Sequence, residues 1–412
     1  MDLIVRNSRL RDRPGAWDIG VRGERIVEVA ERIAASGAEE IHAEGRLVAP
    51  TYVNGHIHLD KCNLSDVMPP RQIYSAQEPL ERTWAHKRAY TVEDILRRAG
   101  QAIEEGIFHG TTVFRGFADV DTIGGLRPLE GVLALRERWR DRVRIEVVAF
   151  PQEAIVRDPG TRELMEEAMR MGADVVGGIP WLEDLDEDVR AHVDFCFDLA
   201  GRYDRDIHML VDNTLNPYSR SLEVLAVKTK RAGYQGRVSA SHAEAVAAYD
   251  EYHAQKVLQL VKEAGVSISA NAPVTLGFEG RLDREPIRRG LTRVKQMWRM
   301  GINVFASQDD VDDPWYPFGR NDQQEVAGYL AHTAQMTYPE ELDAVFDCVT
   351  TNAARALRLA DYGVEPGCRA DFNVLAAASV HQVLRLQQPP PWVVRGGRVL
   401  ARNQLTRELR GA

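Results

Sequence analysis

Apolar positions follow two alternating rhythms along most of this chain. Between residues 51 and 360, short runs of apolar and β-branched residues give way to longer stretches in which apolar positions recur at helical spacing. Strands are expected at Thr111–Phe117, Arg144–Phe150, Asp174–Ile179, Asp206–Leu210, Arg237–Ser241, Ser267–Ala270 and Ile302–Ala306. A first strand precedes His56, entered through the apolar Leu47-Val-Ala-Pro50, which itself reads as a short buried strand. Helices are expected at Thr91–Glu105, Arg127–Arg138, Arg162–Met171, Glu187–Tyr203, Ser221–Ala232, Ala245–Ala264 and Arg288–Met300. Repeated strand–helix alternation implies parallel strands joined by helical crossovers, and eight such units imply an α/β fold of the closed (β/α)8 TIM-barrel type.

The two ends have a different texture. Asp2–Arg6, Ala16–Val21 and Arg25–Val29 alternate as strands, with room for a helical turn at Ala30–Ala38. Ala370–Leu375 and the stretch Trp392–Leu400 do the same at the other end. Neither end has enough apolar positions for its own core. Both are therefore expected to pair into one small β-sandwich, residues 1–50 plus 364–412, with a barrel domain of residues 51–363 inserted between them.

Composition narrows the function. The 412 residues carry 52 Lys plus Arg against 61 Asp plus Glu, a net charge of −9 without a basic block, so no nucleic-acid partner is expected. The four cysteines form no C-x-x-C pair, which disfavours both a disulfide framework and a cysteine zinc site. No signal peptide and no apolar run of membrane-spanning length is visible, so a cytoplasmic location, no membrane partner and a homo-oligomer are the expectations.

Candidate chemistry gathers at the predicted strand ends, where a barrel places its active site. His56 and His58, two apart on a strand, point to one face and can share a metal ion. The strand ends also carry His208, His242 and Asp309. Three imidazoles and a carboxylate suit one divalent ion, zinc or iron. The expected ligands are His56, His58, His208 and Asp309, with His242 as acid/base or oxyanion stabiliser and Asp309 doubling as proton acceptor. Each has a plainer reading: His208 alone could be a packing histidine, and Asp309 and Asp310 could cap a helix. The acidic, aromatic run from Asp309 to Pro317 favours a site, and Lys61 shares the rim with the first histidine pair.

With these residues in place, the chain resembles the amidohydrolase superfamily, within it the cytosine deaminase-like branch. His56-Ile-His-Leu-Asp60 is similar to that branch's first-strand signature, and Asp309-Asp-Val-Asp-Asp-Pro-Trp-Tyr-Pro-Phe-Gly319 is its most specific match. Gly280–Lys295 is similar to the segment before the last strand, and Gly363–Asp371 to the superfamily's C-terminal β signature. The resemblance implies that Asp309 is ligand and base, that Gln152 in Phe150-Pro-Gln-Glu153 contacts a ring amide, that Trp315 walls the substrate, and that Asp310 beside it is a substrate-binding residue. The form ending in Lys61 looks more like the N-isopropylammelide isopropylaminohydrolases of that branch, a reading in which Lys61 is catalytic, supplying the missing acid or polarising the ring. The deaminases carry a glutamate three residues after the fifth-strand histidine; counted from His208 that position is Val211, with Asp212 beside it as a substitute. A bridging lysine is absent from the fourth strand end, so one metal is implied. The expected activity is a metal-dependent aminohydrolase on a small nitrogen heterocycle such as a pyrimidine or triazine. The alternatives are amide hydrolysis and, less favoured, a ligand-binding barrel without turnover.

Overall fold

The computed structural model describes residues 1–71, 77–281 and 283–410; one residue of the Gly280–Lys295 run lies outside them. Eight strands form one parallel sheet in sequence order: β1 (Tyr52–His58), β2 (Thr111–Asp119), β3 (Arg144–Phe150), β4 (Val175–Gly178), β5 (Asp206–Val211), β6 (Val238–His242), β7 (Ser267–Ala270) and β8 (Val304–Ala306). The ring closes just beyond β8. The Asp309 N–H donates to the His56 carbonyl at 2.9 Å, and the His58 N–H donates to the Asp309 carbonyl at 3.2 Å. This is the (β/α)8 barrel that the alternating pattern implies.

Helices pack their apolar stripes on the outside of the ring. The helix Val92–Phe108 shows why: Thr91 caps it by accepting the Asp94 N–H, and Ile95, Ala99, Ala102 and Ile103 recur along its buried face. Burying each isoleucine stabilises the layer by roughly 1.5–3 kcal/mol, so a charge at Ile103 would detach it.

The N- and C-terminal segments build a small sandwich. One four-stranded sheet runs in the order Arg25–Ala30, Arg13–Arg22, Leu3–Leu10, Glu39–His42; the other runs Arg398–Arg402, Trp392–Arg395, Phe372–Val374, Val48–Pro50. Val5, Ile19 and Ile41 from the first share a core with Phe372 and Val394 from the second. Three details depart from the pattern reading. Val48–Pro50 is not the lead-in of the barrel strand; it pairs antiparallel with Phe372–Val374, and β1 starts afresh at Tyr52. The expected helix Ala245–Ala264 breaks at Tyr249–Asp250, because the Asp250 carboxylate caps a second helix by accepting the His253 N–H. The helix expected from Arg288 begins only at Val294, since Gly290 adopts a left-handed φ of 71° that no helix continues through.

Candidate metal centre and active site

All seven residues of β1 are buried, and the pleat turns His56 and His58 inward together. Past the end of β8, Asp309 takes a left-handed φ of 69°, a conformation that an aspartate reaches more readily than bulkier residues. Its Oδ1 lies 3.1 Å from His56 Nε2 and 3.4 Å from His58 Nε2, and the two imidazole nitrogens are 3.3 Å apart. Donors bound at about 2.1 Å to one tetrahedral ion lie about 3.4 Å from each other, so this trio fits a divalent metal. His242 adds a further donor: its Nε2 is 3.5 Å from Asp309 Oδ2, and His56, His242 and Asp309 form a cluster that could hold a metal. Asn271 Nδ2 donates to the same Oδ2 at 3.0 Å.

The electrostatics suit a cation. Burial holds the His56 imidazole below its ordinary pKa, and burial with Lys61 nearby holds His58 well below, so both offer neutral nitrogens. Burial opposes ionisation of Asp309, but His56 and His242 outweigh it and keep the carboxylate charged. Burial also works against the His242 cation, yet Glu244 and Asp309 lift it above the usual histidine value.

The fifth strand is arranged differently from the expectation. His208 and Leu210 share the inner face of β5, two residues apart, but it is Leu210 that reaches the cavity beside His58. His208 sits one layer down. Its Nε2 is 2.5 Å from the Ser241 hydroxyl and its Nδ1 faces Arg115 at 3.5 Å, so it is not brought into the His56–His58–Asp309 trio. The same Ser241 hydroxyl lies 2.6 Å from His56 Nδ1, which it can hold as the N–H form with Nε2 free for a metal. Val211, read as the position of the missing glutamate, points into the outer apolar core; three residues after Leu210 stands Asn213, which lines the cavity. Asp212 does not serve the site either. Its carboxylate accepts from the Ser219 and Ser221 hydroxyls, the Ser221 and Leu222 N–H groups and the Tyr249 hydroxyl, which ties down the start of the helix Ser221–Ala232.

Beside the trio lies a buried charge network that the sequence did not disclose. Lys61 Nζ donates to Asp119 at 3.0 Å and to Gln152 Oε1 at 2.5 Å. Lys87, from the helix Gln77–Lys87, reaches Asp119 at 2.6 Å and Asp121 at 2.7 Å. Burial would raise Asp119, but the two ammonium groups outweigh it and set its pKa at about 2. Burial alone would lower Lys61; Asp119 and Asp60 reverse that and keep it charged. Of its members, Lys61 and Gln152 were expected at the site; Asp119 lies just past the expected strand Thr111–Phe117, and Lys87 comes from a helix whose approach no local pattern announces.

Above these groups opens a cavity of about 590 Å³. His58, Lys61, Gln152, His242 and Asp309 form its polar floor, and Asp310 and Trp315 lie on its wall. The Trp315 and Phe278 rings are 5.5 Å apart. Burial and the neighbouring Asp313 push Asp310 well above the carboxylate range. Glu279, also in the wall and absent from the sequence reading, is pushed to about 7 by burial and by Glu244. Among the described residues no helix is long and apolar enough to cross a membrane.

Comparison with known proteins gives a consistent picture. The sequence profile of the Amidohydrolase family matches residues 74–401. The chain is 30% identical over 414 aligned positions to N-isopropylammelide isopropyl amidohydrolase of Pseudomonas sp. (strain ADP), covering 98% of each. Its fold matches 5-methylcytosine deaminase from Klebsiella pneumoniae liganded with phosphonocytosine at a TM-score of 0.95, with 33% identity over 99% of this chain and 100% of that one. It matches N-isopropylammelide isopropylaminohydrolase from Burkholderia multivorans at a TM-score of 0.85, with 29% identity over 97% and 98%.

Proposed function

The chain belongs to the amidohydrolase family and is a metal-dependent hydrolase of C–N bonds in nitrogen heterocycles, and from that premise we propose how its own residues divide the work. His56, His58 and Asp309 would hold a single divalent ion, zinc or iron. When bound, such an ion lowers the pKa of a water toward neutrality and so supplies the nucleophile.

The remaining groups bind, orient and move protons. Lys61 Nζ, held by Asp119, and the Gln152 amide, whose Oε1 accepts from Lys61, present fixed donors to the ring's carbonyl and nitrogen edge. Trp315 and Phe278 offer an apolar wall for the ring face. Asp309, held ionised, accepts the proton released on attack. Asp310, on the cavity wall and pushed above the carboxylate range by burial and Asp313, favours its neutral form beside the ring. Glu279, at about 7, is half protonated near neutrality and passes its proton to the departing amine. Asn213 cannot do so, because an amide has no acidic proton at this pH.

The observation that carries this reading is the His56–His58–Asp309 trio, of which His58 and Asp309 line the same cavity as Lys61, Gln152 and Trp315. The substrates of its relatives define the panel: 5-methylcytosine, N-isopropylammelide and related amino-pyrimidines and amino-triazines. Protein loaded with zinc or ferrous iron is expected to release ammonia or alkylamine from at least one of them and to lose that activity to a chelator. Stoichiometric metal with no amine released across the panel would overturn the assignment.

A further inference from the structure

The expectation of three imidazole donors runs into the geometry of β5, where Leu210 takes the place at the cavity floor. Leucine has no donor atom. His208, the only histidine on β5, has its Nε2 engaged by Ser241 at 2.5 Å and its Nδ1 turned to the Arg115 guanidinium, itself paired with Glu146 at 2.9 Å. A donor from this strand would need His208 to leave a packed, buried layer in which its ring meets Phe117 edge-on at 5.0 Å.

One strand further round the barrel, His242 presents the opposite situation. It is 3% exposed, and among the described residues neither of its ring nitrogens makes a hydrogen bond. Its Nε2 points at Asp309 Oδ2, 3.5 Å away, while Nδ1 lies 3.4 Å from Glu244 Oε1. The backbone is bent to put it there: His242 and Ala243 have φ of 74° and 58°, two left-handed residues in succession at a strand end. Such strain, at a cost of order 1–3 kcal/mol per residue, persists where surroundings impose it and is concentrated at ligand clamps. A buried imidazole that has carboxylates nearby but no hydrogen bond has forgone that stabilisation, and a metal bond at Nε2 would supply it there.

We infer that His242, not His208, is the third imidazole donor to the divalent ion, beside His56, His58 and Asp309. The assignment rests on the reading of that cluster as a metal centre. Glu244 takes the position behind His242, where a carboxylate steadies a metal-bound imidazole through its other nitrogen. Proton transfer then falls to Asp309 and Glu279, since His242 is committed to the cation.

Cobalt(II) reports coordination without turnover. Apoprotein is titrated with Co²⁺ in competition with a coloured chelator, and the visible absorption of the bound ion is recorded. The wild type, His242→Ala, His242→Asn and His208→Gln are compared, each with its fold checked by circular dichroism; asparagine tolerates the left-handed backbone at position 242. Loss of an outer hydrogen-bond partner typically weakens metal binding by about 10–100-fold. Both His242 variants are expected to weaken Co²⁺ by more than about 100-fold, beyond that range, and to shift the absorption bands, whereas His208→Gln stays within about 10-fold with unchanged bands. Wild type that binds Co²⁺ while a folded His242 variant keeps the same affinity and spectrum overturns this assignment alone. Wild type that binds no Co²⁺ overturns it together with the metal-centre reading.

Discussion

Replacing Asp119 by asparagine tests the buried charge network most directly. Asp119 is wholly buried and lies 3.0 Å from the Lys61 ammonium and 2.6 Å from that of Lys87. Asparagine keeps the shape and removes the charge. Lys87 would retain Asp121, but Lys61 would face Gln152 with no carboxylate at salt-bridge distance. Two routes give the size of the effect. Breaking a buried ion pair from one side costs about 3–5 kcal/mol. A carboxyl moved from 3.8 to about 2 contributes about 2 kcal/mol by linkage. The range of about 2–5 kcal/mol, divided by an unfolding entropy of roughly 2.1 cal/mol/K per residue over the whole chain, gives a fall in Tm of roughly 2–6 °C. The sign of the pH dependence is fixed. A depressed folded-state pKa stabilises above the unfolded value and loses that stabilisation as pH falls toward the folded one. The wild-type advantage should therefore be full above about pH 5 and shrink between about pH 4 and pH 2. Calorimetry on both proteins across that window is the assay, with kcat and KM measured in parallel; a freed Lys61 should raise KM. A Tm change under about 1 °C at neutral pH would show that the two ammonium groups do not depend on Asp119, and the argument for a fixed Lys61 would go with it.

The other expectations are shorter. Trp315→Ala removes one face of the ring site and should raise KM by roughly 3–10-fold, the equivalent of about 0.5–1.5 kcal/mol of aromatic contact, with a smaller change in kcat. An unchanged KM would place the ring elsewhere. Asp212→Ala should lower Tm by removing the anchor of the helix Ser221–Ala232 while leaving kcat of the folded fraction within about twofold; a selective loss of kcat would restore Asp212 to the chemistry.

The barrel was legible because its signal is periodic and repeated. Apolar runs such as Arg144–Phe150 and Ser267–Ala270 have the observed bounds of β3 and β7, and the histidine pair on β1 falls on one face by the pleat alone. What the pattern does not encode is depth. His208 and Leu210 are equivalent by alternation, and only the stagger of neighbouring strands decides which is level with the cavity floor; pairing sets Leu210 opposite Ser241, at the end of β6. Asp212 was misjudged for a related reason: it leaves the strand with a left-handed φ of 47°, which turns its carboxylate away to cap a helix. Lys87 and Glu279 reach the site from segments outside the strands, where no local rule links sequence position to the cavity.

The closure of the ring at Asp309 has one more consequence. The first and last strands meet there through two backbone hydrogen bonds, and the side chains that flank the seam are the donor trio itself. A cation seated between them would act as a clasp, drawing the two free margins of the cylinder together while offering nothing to a chain whose margins have parted. Opening the wall and letting go of the ion thus become a single event, and the resistance of this enzyme to heat should climb with the logarithm of free metal.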